Sequence, residues 1–180
     1  GFTNGSQTNK WVFGSATGNT GNSLYISNDN GVTNAYTISA TTVVHAYRDI
    51  AVPAGASVAK LSFDWKGVGE SSFDYMRVWL VPASFMPTAG TQITALANQR
   101  IQVGTNLNQQ STWQTYNNAN LNISAFAGQT MRLVFEWRND SSGGTQPPGA
   151  IDNVNLFVCN NATPTLNVSA VTYNSATLTW

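Results

Sequence analysis

Few residues in this chain could do chemistry. The sequence holds one histidine, His45, one cysteine, Cys159, two glutamates and six aspartates. A Ser–His–Asp arrangement would have to use His45, yet TTVVHAYRDIAV carries no nucleophile elbow. His45 reads instead as a strand-face or core-edge residue. Glycoside hydrolysis needs two carboxylates across a sugar cleft, and the pair to consider is Glu136 with Asp64. No clustered acidic motif accompanies it. One cysteine and one histidine exclude a disulfide within the chain and a tetrahedral zinc centre built on such ligands.

Binding residues are better represented. Ten of the sixteen charged residues fall in two stretches: Asp64, Lys66, Glu70, Asp74 and Arg77, then Arg132, Glu136, Arg138, Asp140 and Asp152. These stretches echo each other. LSFDWKG at 61–67 and LVFEWRN at 133–139 each carry an aromatic, an acid, a Trp and then a polar or basic residue in the same order. Read as two strands of one sheet, they put Asp64, Lys66, Glu136 and Arg138 on one polar face able to hydrogen-bond sugar hydroxyls or a peptide. The plainer alternative is a ladder of solvated ion pairs across the strands. Trp113 and Tyr116, in the polar run QQSTWQTYNN, are the aromatic residues best placed to stack on a sugar. Trp65, Trp79 and Trp137 have apolar neighbours two residues away and read as core.

The available donors for a cofactor are Asp carboxylates, Asn amides and loop carbonyls, which suit calcium. Asp29 in NDNG has the look of a calcium loop but lacks its remaining positions, so a tight turn fits better.

The elements that must position these residues are strands. No apolar repeat of helical period runs beyond two turns. Leu61, Phe63 and Trp65 alternate with Ser62, Asp64 and Lys66, the pattern of a strand with one apolar face. Strands are expected near 11–16, 23–27, 34–38, 42–52, 60–66, 73–81, 100–103, 112–116, 129–138 and 150–158. Residues 83–98 lack alternation and read as a surface excursion or a short helix at 92–99. Many short strands without helical crossovers predict an all-β fold, an antiparallel two-sheet jelly-roll β-sandwich. Asn160 to Thr165 reads as a linker ahead of two further strand signals.

Zero formal net charge leaves no basic surplus for nucleic acid or for an anionic membrane surface. No apolar run is long enough to span a bilayer, and the first residues lack the pattern of a signal peptide.

Residues 11–158 resemble the bacterial cleaved-adhesin, or choice-of-anchor J, domains, relatives of the MAM domain. The resemblance rests on NKWVFGSA, SLYISNDNG, SFDWKGVGESSFDYMRVWLVP and MRLVFEWRNDSSGGTQPPGAIDNVNLFV. It implies a jelly-roll in a large multidomain protein exported to the bacterial surface, often followed by fibronectin type III domains. PTLNVSAVTYNSATLTW resembles the opening of such a domain, with Trp180 as its core Trp. The expected division is a MAM-like domain at 1–159, a linker at 160–165 and the start of a fibronectin type III domain at 166–180. In related jelly-rolls the acid matching Asp152 binds a structural calcium beside the N-terminal strand. A carboxylate capping N–H groups of the preceding loop is the other reading of Asp152. Family members begin with an acidic Phe-Glu strand, and this sequence starts after that point. The function implied is a secreted, non-catalytic adhesion module for a glycan or an extracellular protein, in contact with neighbouring domains of its own polypeptide. An accessory domain of an exported protease or polysaccharide hydrolase and a structural spacer are the alternatives.

Overall fold

The computed structural model describes residues 1–159 and two short strands beyond them. The strands are β1 (Phe2–Thr3), β2 (Lys10–Gly14), β3 (Ser23–Ser27), β4 (Thr42–Ala51), β5 (Val58–Gly67), β6 (Tyr75–Pro82), β7 (Ile101–Leu107), β8 (Gln110–Asn122), β9 (Thr130–Asn139), β10 (Ala150–Cys159), β11 (Asn167–Ser169) and β12 (Thr177–Thr179). Period-2 burial is clearest in β5, where Leu61, Phe63 and Trp65 are buried and Ser62, Asp64 and Lys66 are half-exposed. Such one-sided strands must stack face to face, and they do. One sheet has the order β1-β4-β9-β6-β7 and the other β2-β3-β10-β5-β8, with every pairing antiparallel. The fold is the expected antiparallel jelly-roll sandwich.

The two echo strands lie in different sheets. β9 sits between β4 and β6, while β5 sits between β10 and β8. Their apolar faces meet across the core, where Phe63 and Phe135 pack edge to face with ring centroids 5.3 Å apart. Their similar surroundings come from facing each other. The polar faces therefore point in opposite directions, and the single face of Asp64, Lys66, Glu136 and Arg138 expected from the sequence does not exist.

Other expectations need correction. Residues 34–38 are not a strand; Asn34 and Tyr36 anchor an irregular loop by side-chain bonds to Ile26 and Asp74. Of the two readings for residues 83–98, the structure shows the excursion and not the helix at 92–99: the stretch is tied across the outer face of the first sheet. β8 is far longer than 112–116. β1 was not foreseen, and its two residues pair with His45 and Ala46. The NDNG turn is real: Asn30 and Gly31 adopt φ of 60° and 95°, which Asn and Gly tolerate best. β11 and β12 pair antiparallel with each other. The expected linker and Trp180 lie outside the described residues.

Candidate functional site

On the second sheet, β5 and β8 place their alternate residues on the outer surface. Asp64 is opposite Thr115, so the outward set is Asp64, Lys66, Trp113 and Thr115. The Lys66 ammonium stands 5.2 Å from the centre of the Trp113 ring. Among the described residues it makes no hydrogen bond or ion pair. Partial burial pulls its pKa below the usual lysine range.

Asp64 is the reverse case. Its Oδ1 accepts from the Thr115 hydroxyl at 2.7 Å, and its Oδ2 accepts from the amides of Asn19 and Asn153, each at 2.8 Å. Those bonds hold its carboxyl below the usual aspartate range, Asn153 contributing most. Asn153 reaches it from a bulge in β10, with φ of 51°. The sequence reading missed Asn19, Asn153 and Thr115. Positive φ at an Asn inside a strand is a signal only the fold makes visible.

Tyr116 alternates with Trp113 and Thr115 and points inward. It stacks on Phe63 with centroids 4.9 Å apart and fills space beside Gly104 of β7. The expected exposed aromatic pair is thus reduced to Trp113.

Asp152 is a near neighbour of Asp64 across the β10–β5 ladder. Its Oδ2 accepts from the backbone N–H groups of Asn19 and Thr20, both at 2.8 Å, and its Oδ1 from that of Asn153. It caps the loop between β2 and β3 rather than the loop preceding β10. Both its oxygens are thus engaged by backbone donors. Among the described residues, Glu70, Asp74 and Asp140 bring carboxylate oxygens within 4.8 Å of one another. Asp74 is fully buried and accepts from the Tyr36 hydroxyl at 2.7 Å and the Asp140 N–H at 3.1 Å. Burial raises its pKa, and the nearby Asp140 and Glu70 carboxylates add to the shift. A cation held there would be structural, joining the turn before β6 to the loop after β9.

Glu136 belongs to the opposite surface and is buried. Its Oε1 accepts from Arg77 Nε at 2.8 Å, and its Oε2 from the Ile93 N–H at 2.7 Å. His45 Nε2 lies 3.2 Å from the same Oε2. Residues 83–98 form the cover, burying Trp79, Val81, Ile93 and Val134 as a second small core. Arg138, half-exposed, donates to the Phe73 carbonyl at 2.8 Å. Glu136 and Asp64, the carboxylates that hydrolysis would need across one cleft, stand on opposite sheets.

A cavity of about 850 Å³ lies beside β1, β3, β4 and β10. Phe2, Phe13, Leu24, Ile50, Leu133 and Leu156 are among its lining residues. Beside it, β3 pairs with the first two residues of β10, and β1 with two of β4. Among the described residues, 48–51, paired with β9, and 155–159, paired with β5, have no strand on their other side, where they flank an apolar groove.

Neither a family model nor a curated protein matches the chain. Solved structures do. The enzymatically active domain of bacteriophage CBA120 tailspike protein 4 matches over 88% of this chain, with 14% identity and a TM-score of 0.54. The chain spans only 19% of that protein's length. TmCBM61, solved with β-1,4-galactotriose, matches over 88% of this chain and 87% of its own, with 11% identity and a TM-score of 0.46. A CBM4 structure matches over 86% of this chain and 90% of its own, with 13% identity and a TM-score of 0.43. At these identities the likeness is one of fold.

Of the residues singled out from sequence, Lys66, Trp113 and Asp64 come together on one exposed face. Tyr116, Asp152, Glu136 and Arg138 are committed elsewhere.

Proposed function

We propose that this chain is a non-catalytic carbohydrate-binding module of a secreted, surface-attached bacterial protein, seating its glycan on the outer face of β5 and β8. The observation that carries this reading is the half-exposed Trp113 ring beside the unpaired Lys66 ammonium. An indole offers a flat apolar face for the C–H groups of a pyranose, and the groups around it can bond hydroxyls. Asp64 is already held in one position by three donors, so it accepts from a ligand without losing side-chain freedom. The resemblance to surface adhesins supplies the setting.

Titration calorimetry against a panel of plant, algal and animal polysaccharides tests it. Trp113→Ala is expected to weaken the best ligand by about tenfold or more with an unchanged melting temperature. Absence of binding across the panel by the unsubstituted protein would refute the reading.

The apolar groove favours a second reading, docking of an extended peptide strand. Gly1 and Tyr47 already exchange backbone bonds, which carry the β1 ladder to the mouth of the groove. Arg48, next along that edge, lines the groove with no partner among the described residues. A strand continuing the ladder with alternate apolar residues and an acid near Arg48 fits both features. Peptide binding that survives Trp113→Ala and is lost in Phe13→Asp would favour it.

A further inference from the structure

Beside Trp113 on the β5–β8 face, the Lys66 ammonium meets no anion among the described residues. The ammonium lies over Trp113 at 5.2 Å, with no hydrogen bond or ion pair among the described residues. Its neighbour Asp64, two positions back on the same strand face, has its oxygens turned on Thr115, Asn19 and Asn153. Ala150 stands beside Lys66 on β10 and offers no polar atom from its side chain. On the other flank is Trp113. A cation that gives up part of its hydration without an anion in return costs free energy, and its lowered pKa reports that cost. A ligand carboxylate would remove it.

We infer that the glycan seated on Trp113 is acidic, with the carboxylate of a uronic acid meeting the Lys66 ammonium. This rests on the carbohydrate-binding role proposed above. The geometry suits a uronate better than a freely hanging anion. Its carboxylate is attached directly to the sugar ring, so a ring lying on the indole presents the charge just past the indole edge. The Lys66 stem is long and flexible enough to move its head from above the ring to that edge. Asp64, already fixed, is left to accept from a hydroxyl on the far side of the sugar.

The test is titration calorimetry of the whole chain with oligogalacturonate, oligoguluronate and hyaluronan fragments. Carboxyl-reduced forms of the same three and dextran sulfate are run in parallel. The expected result is that at least one uronate binds about tenfold or more tighter than its reduced form, a factor typical of a charge-assisted bond. That preference should shrink as salt rises from 20 mM to about 500 mM. Lys66→Gln should bring the ratio of acidic to reduced affinity to about one, and Lys66→Arg should preserve most of it. Trp113→Ala should weaken acidic and reduced forms alike. Equal affinity for acidic and reduced forms would overturn the inference while leaving carbohydrate binding in place. So would dextran sulfate binding as tightly as the uronates, which would mark a general anion patch. Failure of every glycan to bind would overturn both. A circular-dichroism melt of each variant separates lost binding from lost folding.

Discussion

Asp74 and Asp64 are the same residue type ten positions apart, and the fold pushes their acidities in opposite directions. Asp74 is buried, faces the Glu70 and Asp140 carboxylates, and has its pKa raised. Asp64 accepts three hydrogen bonds near the surface, and its pKa is lowered. Asp49 is lowered as well, by the Arg132 guanidinium that donates to both its oxygens. The signs then differ. A group whose folded pKa lies above its unfolded value stabilises most below the ordinary aspartate range, and that contribution is lost as pH rises through the folded value. For Asp64 and Asp49 the stability is present above the ordinary range and is lost as pH falls through their lowered values. Melting temperature is therefore expected to rise as pH falls through the raised Asp74 value, then fall as Asp64 and Asp49 protonate below the ordinary aspartate range. Asp74→Asn should flatten the first limb and leave the second, which thermal melts across a pH series would show. A rise of equal size in Asp74→Asn would place its cause elsewhere.

At the scale of strands, the echo between 61–67 and 133–139 marks two ribbons packed front to front. Alternation tells which side of a strand is apolar but not which sheet it joins, so the inward halves of β5 and β9 were legible and their partners were not. Glu136 shows the cost. In sequence it matches Asp64, an acid between a Phe and a Trp. What separates them is residues 83–98, a stretch without periodicity whose backbone and Ile93 cover one strand and not the other. The Trp113–Lys66 pair was hidden for a similar reason, since a register between β5 and β8 cannot be read from either strand alone. Cross-core packing has a direct measure. Phe63→Ala and Phe135→Ala should each cost about 3–5 kcal/mol in urea denaturation. The double variant should show a coupling of about 0.5–1.5 kcal/mol for the edge-to-face pair. Additive costs would mean the rings do not touch. The acidic turn before β6 and the loop after β9 pose a second question at this scale. Calcium held by Glu70, Asp74 and Asp140 would bind only the folded chain, which brings the three together. At about a hundred times Kd it should raise the melting temperature by about 5–10 °C. Glu70→Gln should remove that rise, and Asp152→Asn should not.

For the molecule as a whole, the two sheets are closed on one side and parted on the other. Tyr116 on Phe63 and Gly104 beneath Tyr116 seal the flank where β8 meets β7. On the opposite flank the described residues of β1 and β3 pair with only part of β4 and β10. Phe13 is 65% exposed there, and Phe2 43%. Interior-type side chains that meet water in one continuous groove are a different matter from scattered surface phenylalanines. They should make the native protein bind an apolar fluorophore such as anilinonaphthalene sulfonate without denaturant, a property usually reserved for loosened states. The native origin of that signal can be isolated. Phe13→Asn should reduce it while leaving near-ultraviolet dichroism and melting cooperativity intact, because Phe13 is already mostly solvated and contributes little to the core. A molten state would show the opposite combination, strong dye binding with near-ultraviolet dichroism lost and no response to Phe13. A native protein that binds no dye would mean that the parted flank is closed in solution, and the strand-docking reading would fall with it. Carbohydrate binding on the β5–β8 face would be untouched by that result, since Trp113 and Lys66 belong to the sealed half of the sandwich.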